Sequence, residues 1–592
     1  MHRLPEQRGY SPGTCFLAGG MALVLKKDIM KRILTALFLS LPSLFLSAQA
    51  QMIHERMYLS TDKECYLAGE PVWISAFCYD ATTGIPSPVS AVAFIELQDF
   101  TGSPVQAKIA LDRGRGNGMM ELPLSLPTGV YRLTAYTRYM YSESNLNYFT
   151  RFVTVYNPLT SLRLDNVTTV SETDTLPEPT AFHETTEGLD VMTDRKVYRS
   201  GEQIGITLRN RIPEDVSAAV SVYRKDDLNH YVNPSVRQVV DSTRKEKTSP
   251  FPLWRVDYPG EVIRGHIVDE NNEPVVNGVE SFGSYISIAG SDIQYFTGEI
   301  RDNGTVRFFT SNLYGNGTLI SYVPSFNHKK YHLVLDSVYM HPAVTELPSL
   351  VLDRKQQDVL VERSTGVQMS KAFSLDTLFR EEGSRSNLLF RDAGIVYDLD
   401  EYTRFPSMGE VLVEFIREAR FRTVNGVRTL QVRLRDVSGV AYYMEDPTPP
   451  LVLLDGIPVE DHEKIYAYDP NLVKEIVIYP DQYAFGPIYY NGILFIKTYR
   501  GDFPNLDLEE SMRVQEFVGV QNPRSFGTVA RGSRLPDLRH TLYWNPLVEL
   551  SENDSVTLKA TTSENTGLFV VVAEGMSRTG KPFRSTVEFM VR

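Results

Sequence analysis

A chain of 592 residues is longer than one hydrophobic core supports and predicts roughly four domains. Its 42% hydrophobic and 22% charged content excludes a disordered or fibrous polymer, and 32 Tyr and 29 Phe beside 39 Gly and 34 Pro favour short strands and turns. A net charge of −13 without a basic stripe argues against nucleic acid as a partner and leaves proteins, sugars and peptides open.

The first predicted element is an export signal within residues 1–50. Met30-Lys31-Arg32 is a short basic start, ILTALFLSLPSLFLS (Ile33–Ser47) is an apolar core, and Ala48-Gln49-Ala50 is an A-x-A cleavage site. The apolar run is short and broken by proline, and no later stretch is apolar for long enough, so no transmembrane segment is expected in the mature chain. Cys15 would leave with the signal. Cys65 and Cys78 flank one turn, and an exported pair there is compatible with a local disulfide or with two buried thiols.

TDKECYLAGE (Thr61–Glu70) then returns as TDRKVYRSGE (Thr193–Glu202). Met57 and Leu59 before the first copy match Leu189 and Val191 before the second. Val72, Ile74 and Ala76 after it match Ile204, Ile206 and Leu208. Apolar residues two apart on both sides predict strand, turn, strand. Asp62 and Asp194 suit backbone hydrogen bonds in the turn, and Gly69 and Gly201 suit positive φ. The carboxylates Asp62 and Glu70 could be read as a glycosidase pair, but they recur with their turn, which favours a structural role. Short strands continue through AVAFIELQD and GVYRLTAYTRYM to RFVTVYNP, predicting a β-sandwich over 52–158. TDKECYLAGEPVWISAF with LPTGVYRLTAYTRYM resembles the macroglobulin-type sandwich of alpha-macroglobulins. LDVMTDRKVYRSGEQIGITLRN resembles a shorter relative over 186–258. The Gly-Cys-Gly-Glu-Gln thioester signature is absent, so only the scaffold is implied.

Residues 159–185 read as a Thr/Ser/Glu/Pro linker, and 229–258 as polar and irregular. VIRGHIVDENNEPVVNGVESF and GEIRDNGTVRFFT resemble a carboxypeptidase-regulatory-like sandwich over 259–347, with Asn303-Gly304 as a hairpin turn. A linker over 348–404 follows. In MGEVLVEFIREARF, apolar Val411, Leu412, Phe415, Ile416 and Ala419 are spaced for a helix face. Ser407 is its N-cap and Glu410 completes a capping-box pattern. The string PLVLLDGIPVEDHEKIYAYDPNLVKEIVIYPDQYAFGPIYYNGILFIKTYR resembles the plug domain of TonB-dependent outer-membrane transporters, here over 405–503. Those plugs sit in barrels of about 22 strands, each roughly ten residues long, and the sequence after Arg500 is too short for one. A final β-sandwich is expected over 504–592, with Tyr543 and Trp544 in its core or edge.

The fold class is therefore mainly β and multidomain: tandem β-sandwiches plus one small α+β plug-like domain. The ordered series resembles a family of exported Gram-negative envelope proteins that combine macroglobulin-like units with a barrel-less plug. The resemblance implies a location in the periplasm or at the outer membrane. It also implies a protein partner in the envelope, an outer-membrane barrel among the candidates. No catalytic, metal or cofactor residues are expected. His183-Glu184 and His462-Glu463 lack a second ligand and read as solvated polar residues, Asp455-Gly456 reads as a turn, and no nucleophile elbow, P-loop or calcium loop occurs. Tyr466, Tyr468, Tyr479, Tyr483, Tyr489, Tyr490 and Tyr499 concentrate in the plug-like segment, and Tyr483, Phe485, Tyr489 and Tyr490 form the candidate partner-binding surface. The expected function is a non-catalytic, protein-binding envelope scaffold. The alternative is an accessory component of TonB-linked nutrient uptake.

Overall fold

The computed structural model describes residues 53–592 apart from 145, 170–187, 227, 229–230, 232, 245–259, 277–282, 291, 312, 325–329, 374–378, 382–393, 425, 436–438, 445–447, 486–487 and 528–535. The predicted export signal and the His183-Glu184 pair lie outside the described residues.

Alternating apolar residues build the first sandwich from eight strands. These are β1 (Glu55–Thr61), β2 (Cys65–Leu67), β3 (Pro71–Asp80), β4 (Val92–Gln98), β5 (Val105–Ala110), β6 (Arg115–Glu121), β7 (Gly129–Tyr136) and β8 (Phe149–Tyr156). They form two sheets, β1-β3-β6 and β2-β8-β7-β4-β5, around a core that includes Leu59, Ile74, Phe94, Leu133 and Val153. A free-standing sandwich hides one face of each strand. Here β1, β4 and β7 are buried along their whole length. Even their polar residues Ser60, Glu96 and Thr134 are inaccessible, because later parts of the chain cover the outer faces.

The second sandwich repeats the first strand for strand, with a long insertion. Leu189–Thr193, Val197–Tyr198, Gln203–Asn210 and Val216–Arg224 take the places of β1 to β4. Thr541–Leu550, Ser555–Thr561, Gly567–Ser577 and Pro582–Val591 take the places of β5 to β8. Both sheet orders are reproduced. The parallel pairing of β2 with β8, Tyr66 opposite Val155, recurs as Tyr198 opposite Val591. Hence the strands within 189–224 and 541–591, read from sequence as parts of two separate sandwiches over 186–258 and 504–592, are two halves of one domain. Neither half has enough strands to close a core; together they bury Ile204, Ile206, Val220, Phe569 and Phe589.

Two further units lie between Arg224 and Thr541. The third sheet runs His332–Leu335, Glu261–Val268, Thr305–Thr310, Gln294–Ile300, Ser284–Ile288, Asn316–Tyr322 and Arg513–Val518. Its last strand comes from the segment assigned above to the C-terminal sandwich. The α+β unit has the sheet order Ile395–Asp398, Val473–Phe485, Ile488–Thr498, Leu451–Leu454, Ile457–Pro458. Alternation sorts its side chains. Val452, Leu454, Ile476, Ile478, Leu494 and Ile496 face a core with the helices Met408–Glu414 and His462–Tyr466. Leu451, Leu453, Val477, Ile493 and Phe495 face Tyr285, Tyr295 and Ile320 of the third sheet.

Several local expectations change. Ser407 does cap a helix, its hydroxyl accepting from the Glu410 N–H at 3.4 Å, but the helix stops at Glu414. Ile416 and Ala419 reach the same core from the connecting loop and a strand, which satisfies their apolar spacing without a longer helix. The expected linker 348–404 contains the helix Gln357–Ala372. That helix fully buries Arg363, Ser364 and Gly366, with Val359 and Leu360 half-buried, so its inward stripe carries little apolar periodicity to read. The segment 229–258 contains the helix Val236–Thr243, with a full Ser235/Gln238 capping box and Val236 and Val240 in the first core. His54–Arg592 is one compact unit rather than a row of independent modules.

Candidate functional site

The repeated turn supplies the starting geometry. In the first copy Asp62 Oδ1 accepts from Tyr66 Oη at 2.8 Å and from the Trp73 N–H at 3.1 Å. In the second, Asp194 Oδ1 accepts from Tyr198 Oη at 2.6 Å and from the Gly205 N–H at 2.7 Å. Glu70 accepts from the Leu67 N–H at 2.9 Å, and Glu202 from the Arg199 N–H at 2.9 Å. Gly69 and Gly201 hold φ of +92° and +73°, which a Cβ would strain. The wiring explains why Asp, Tyr, Gly and Glu recur at matched positions.

Around the first copy, other segments close a cavity of about 110 Å³, lined among others by Lys63, Glu70, Trp73, Arg363, His540 and Asn565. The helix Gln357–Ala372 delivers Arg363, whose guanidinium meets Glu70 at 2.9 Å and Asp226 at 3.1 Å and donates to the Cys65 carbonyl at 3.2 Å. Lys63 Nζ lies 3.0 Å from Asp62, and Thr541 Oγ1 donates to Asp62 Oδ2 at 2.7 Å. His540 sits 3.7 Å from Asp226, and its Nδ1 has no hydrogen-bond partner. Burial, reinforced by Arg363, Lys63 and Arg224, holds His540 neutral, its pKa well below the ordinary value. Burial pushes Glu70 up, but Arg363 and Lys63 beside it outweigh that and hold it below the usual carboxylate range. Each carboxylate here is engaged by an internal donor. Chemically, the arrangement joins the first sandwich to both halves of the second.

Cys65 and Cys78 are both free and buried, Cys65 in β2 and Cys78 in β3, which belong to different sheets. The structure thus takes the buried-thiol alternative. Burial raises the Cys65 thiol to about 12, with Arg363 only partly offsetting, so it is inert as a nucleophile near neutrality.

Of the candidate partner surface, only Tyr489 is well exposed, at 66%. Phe485 packs edge-on against Tyr295 with centroids 5.3 Å apart, Tyr490 Oη lies 3.5 Å from Tyr295 Oη, and Tyr483 packs against the same cluster. The strand arm that carries these rings folds back on the third sheet, so three of the four residues serve an internal contact. Asp455-Gly456 is a turn, with φ of +47° and +86°. Its buried Asp455 carboxylate clamps the Thr498 N–H at 2.7 Å and the Phe503 N–H at 2.8 Å. His462 is buried, with Nδ1 accepting from the Leu430 N–H at 2.9 Å, and is not a solvated polar residue. Trp544 is buried in the core of the first sandwich, not of its own, and half-buried Tyr543 packs against the core of the second.

Sequence reading missed Arg363, Asp226 and His540, which lie far apart in the chain with no motif linking them. It also missed a basic ribbon. Arg417, Arg420, Arg422, Arg428, Arg433 and Arg435 crowd one short stretch, a density legible in the sequence and overlooked against the acidic total. Among the described residues no group of three His, Cys, Asp or Glu converges as for a metal ion, and no helix is long and apolar enough to cross a membrane.

No protein-family model and no curated protein matches the chain. Solved structures similar to it include a Salmonella alpha-2-macroglobulin mutant at 10% identity and TM-score 0.23, aligned over 91% of this chain and 39% of that one. The native E. coli alpha-2-macroglobulin aligns at 8% identity and TM-score 0.23 over 92% and 40%. The Yersinia pseudotuberculosis adhesin InvE aligns at 15% identity and TM-score 0.13 over 50% and 62%. The chain thus spans about two fifths of the macroglobulins it resembles.

Proposed function

We propose that this protein is a non-catalytic, exported scaffold of the Gram-negative envelope that binds another protein, with an outer-membrane protein as the docking partner. One observation carries the reading. A buried cluster of ionisable groups, around Arg363, is engaged internally and joins two sandwiches, as a structural joint does. The units of the insertion, in contrast, present open strands and charged side chains to solvent. Such surfaces recognise polypeptides without bond-making chemistry. Export rests on the basic start, apolar core and A-x-A site before Gln51.

Affinity capture of the tagged full chain from cross-linked envelope extract tests this. A partner recovered reproducibly and lost under competition with untagged protein is expected; repeated recovery of the chain alone counts against it. A deletion strain that fails to grow on one glycan, peptide or iron source would instead favour a role in nutrient uptake.

A further inference from the structure

The strands Ala419–Val424 and Val427–Val432 form a two-stranded ribbon, register Arg420 opposite Gln431 and Arg422 opposite Thr429, that joins no larger sheet. Its inner face is anchored to the helix His462–Tyr466. There His462 accepts from the Leu430 N–H, Arg428 meets Glu463 at 2.6 Å, and Phe421 packs edge-on against Tyr466 at 5.1 Å. Its outer face carries Arg420 and Arg422 on one strand. Gln431 on the other is followed, in the same alternation, by exposed Arg433 and Arg435. Arg422, Arg433 and Arg435 form no ion pair among the described residues. Arg420 is preset by two 3.1 Å bonds to Gln431 and by stacking 3.7 Å above the Tyr443 ring. On this side the Glu418 carboxylate accepts from the Tyr397 hydroxyl. An arginine face without ion pairs among the described residues, on a chain of net charge −13, is complementary to an anion.

We propose that this ribbon docks an acidic, extended polypeptide segment of the partner, laid along the ribbon as an added strand. The spacing selects that occupant. Arginines two residues apart on a strand recur about every 6.7 Å, the repeat of alternate side chains in an extended peptide. The second edge of Ala419–Val424 pairs with no other strand among the described residues, whereas His462 occupies that of Val427–Val432, and only a polypeptide uses such an open edge. The exposed apolar Val427 on the same face accommodates small side chains between the carboxylates. The arginines form a row along the ribbon rather than a ring around its tip at Val427, and a row matches an extended peptide better than a membrane surface. This inference rests on the protein-binding reading and names the surface.

The test is fluorescence anisotropy of the full chain with a labelled peptide of alternating Glu and Thr. A peptide of the same composition with Glu and Thr in separate blocks is the comparison. The alternating peptide is expected to bind about tenfold more tightly, with affinity falling as salt rises. The double variants Arg420→Ser/Arg422→Ser and Arg433→Ser/Arg435→Ser are each expected to weaken it about tenfold, whereas Arg199→Ser/Arg209→Ser, on the exposed second sandwich, leaves it unchanged. Equal affinity for the two peptides, indifference to the ribbon variants, or ribbon-dependent binding of phosphatidylglycerol vesicles in place of the peptide overturns the proposal. Those failures leave the scaffold reading standing, since partner capture by the full chain and by the ribbon variants is scored separately.

Discussion

The two copies of the repeated turn share their hydrogen bonds and differ in everything around them. Asp62 is fully buried beneath the helix Gln357–Ala372 and Thr541, whereas the Asp194 side chain is 50% exposed. Lys63 is enclosed with Glu70, whereas its counterpart Arg195 pairs with Glu202 in the open. The same ten-residue grammar thus serves as a joint in one sandwich and as solvated surface in the other. Recurrence of a motif identifies the fold element; its surroundings decide its energetic weight.

Breaking the joint should give the largest contrast. Arg363→Ala leaves Asp226 buried without its cation and Glu70 with only Lys63 at 3.7 Å, and is expected to cost about 3–5 kcal/mol, read as a lowered urea midpoint. Arg195→Ala in the exposed copy should cost less than about 1 kcal/mol. Comparable losses for the two would mean that the buried network holds nothing together.

Acid should act next. His540 and His462 are both held below their ordinary value by burial, His462 at about 4. The unfolded chain therefore takes up protons that the folded chain refuses. Stability is full above about pH 6.5 and falls as pH drops towards 4, on the order of 1–3 kcal/mol for His462 alone. Glu70, depressed in the fold, adds a further loss once pH passes below the usual carboxylate range. Melting temperatures measured across pH 7 to 4 check the sign, and His540→Asn should flatten the upper part of the profile. A melting temperature that rises on acidification contradicts the assignment.

Smaller effects sharpen the comparison. Tyr66→Phe removes a hydroxyl that donates to a buried carboxylate and should cost about 1–3 kcal/mol; Tyr198→Phe leaves Asp194 to water and should cost about 1 kcal/mol or less. Gly69→Ala and Gly201→Ala both place a Cβ at positive φ, about 1–2 kcal/mol each. At Gly69 the Cβ would also come within 2.7 Å of Leu124 Cδ2 and 2.9 Å of Lys371 Cε, and at Gly201 it meets nothing within 4 Å. Because the Leu124 and Lys371 contacts are with side-chain ends that can yield, the two should differ by less than about 1 kcal/mol.

Much of the local structure was legible. The turn residues, the Ser407 cap, the Asp455-Gly456 turn and the strand phases around both repeats all announce themselves within a dozen neighbours. The domain boundaries were not. The sequence 541–592 alternates as any sandwich strand does, and nothing in that alternation says that Ala219 will face Glu574 across a ladder. Tyr483, Phe485 and Tyr490 read as surface because aromatic density does not reveal which sheet lies above it. The helix over Arg363 stayed hidden because its buried stripe is ionic and small rather than apolar.

The amino-acid order by itself determined the mainly β character, the twice-written turn and its Asp–Tyr–Glu wiring, since these depend on hydrogen bonds and side-chain alternation within a few residues. Only the tertiary structure decided that the second sandwich closes across a long insertion, that the first is covered on its outer faces, and that Arg363 joins Glu70 to Asp226. Those outcomes depend on pairings between distant segments, and such pairings leave no spacing in the sequence from which to read them.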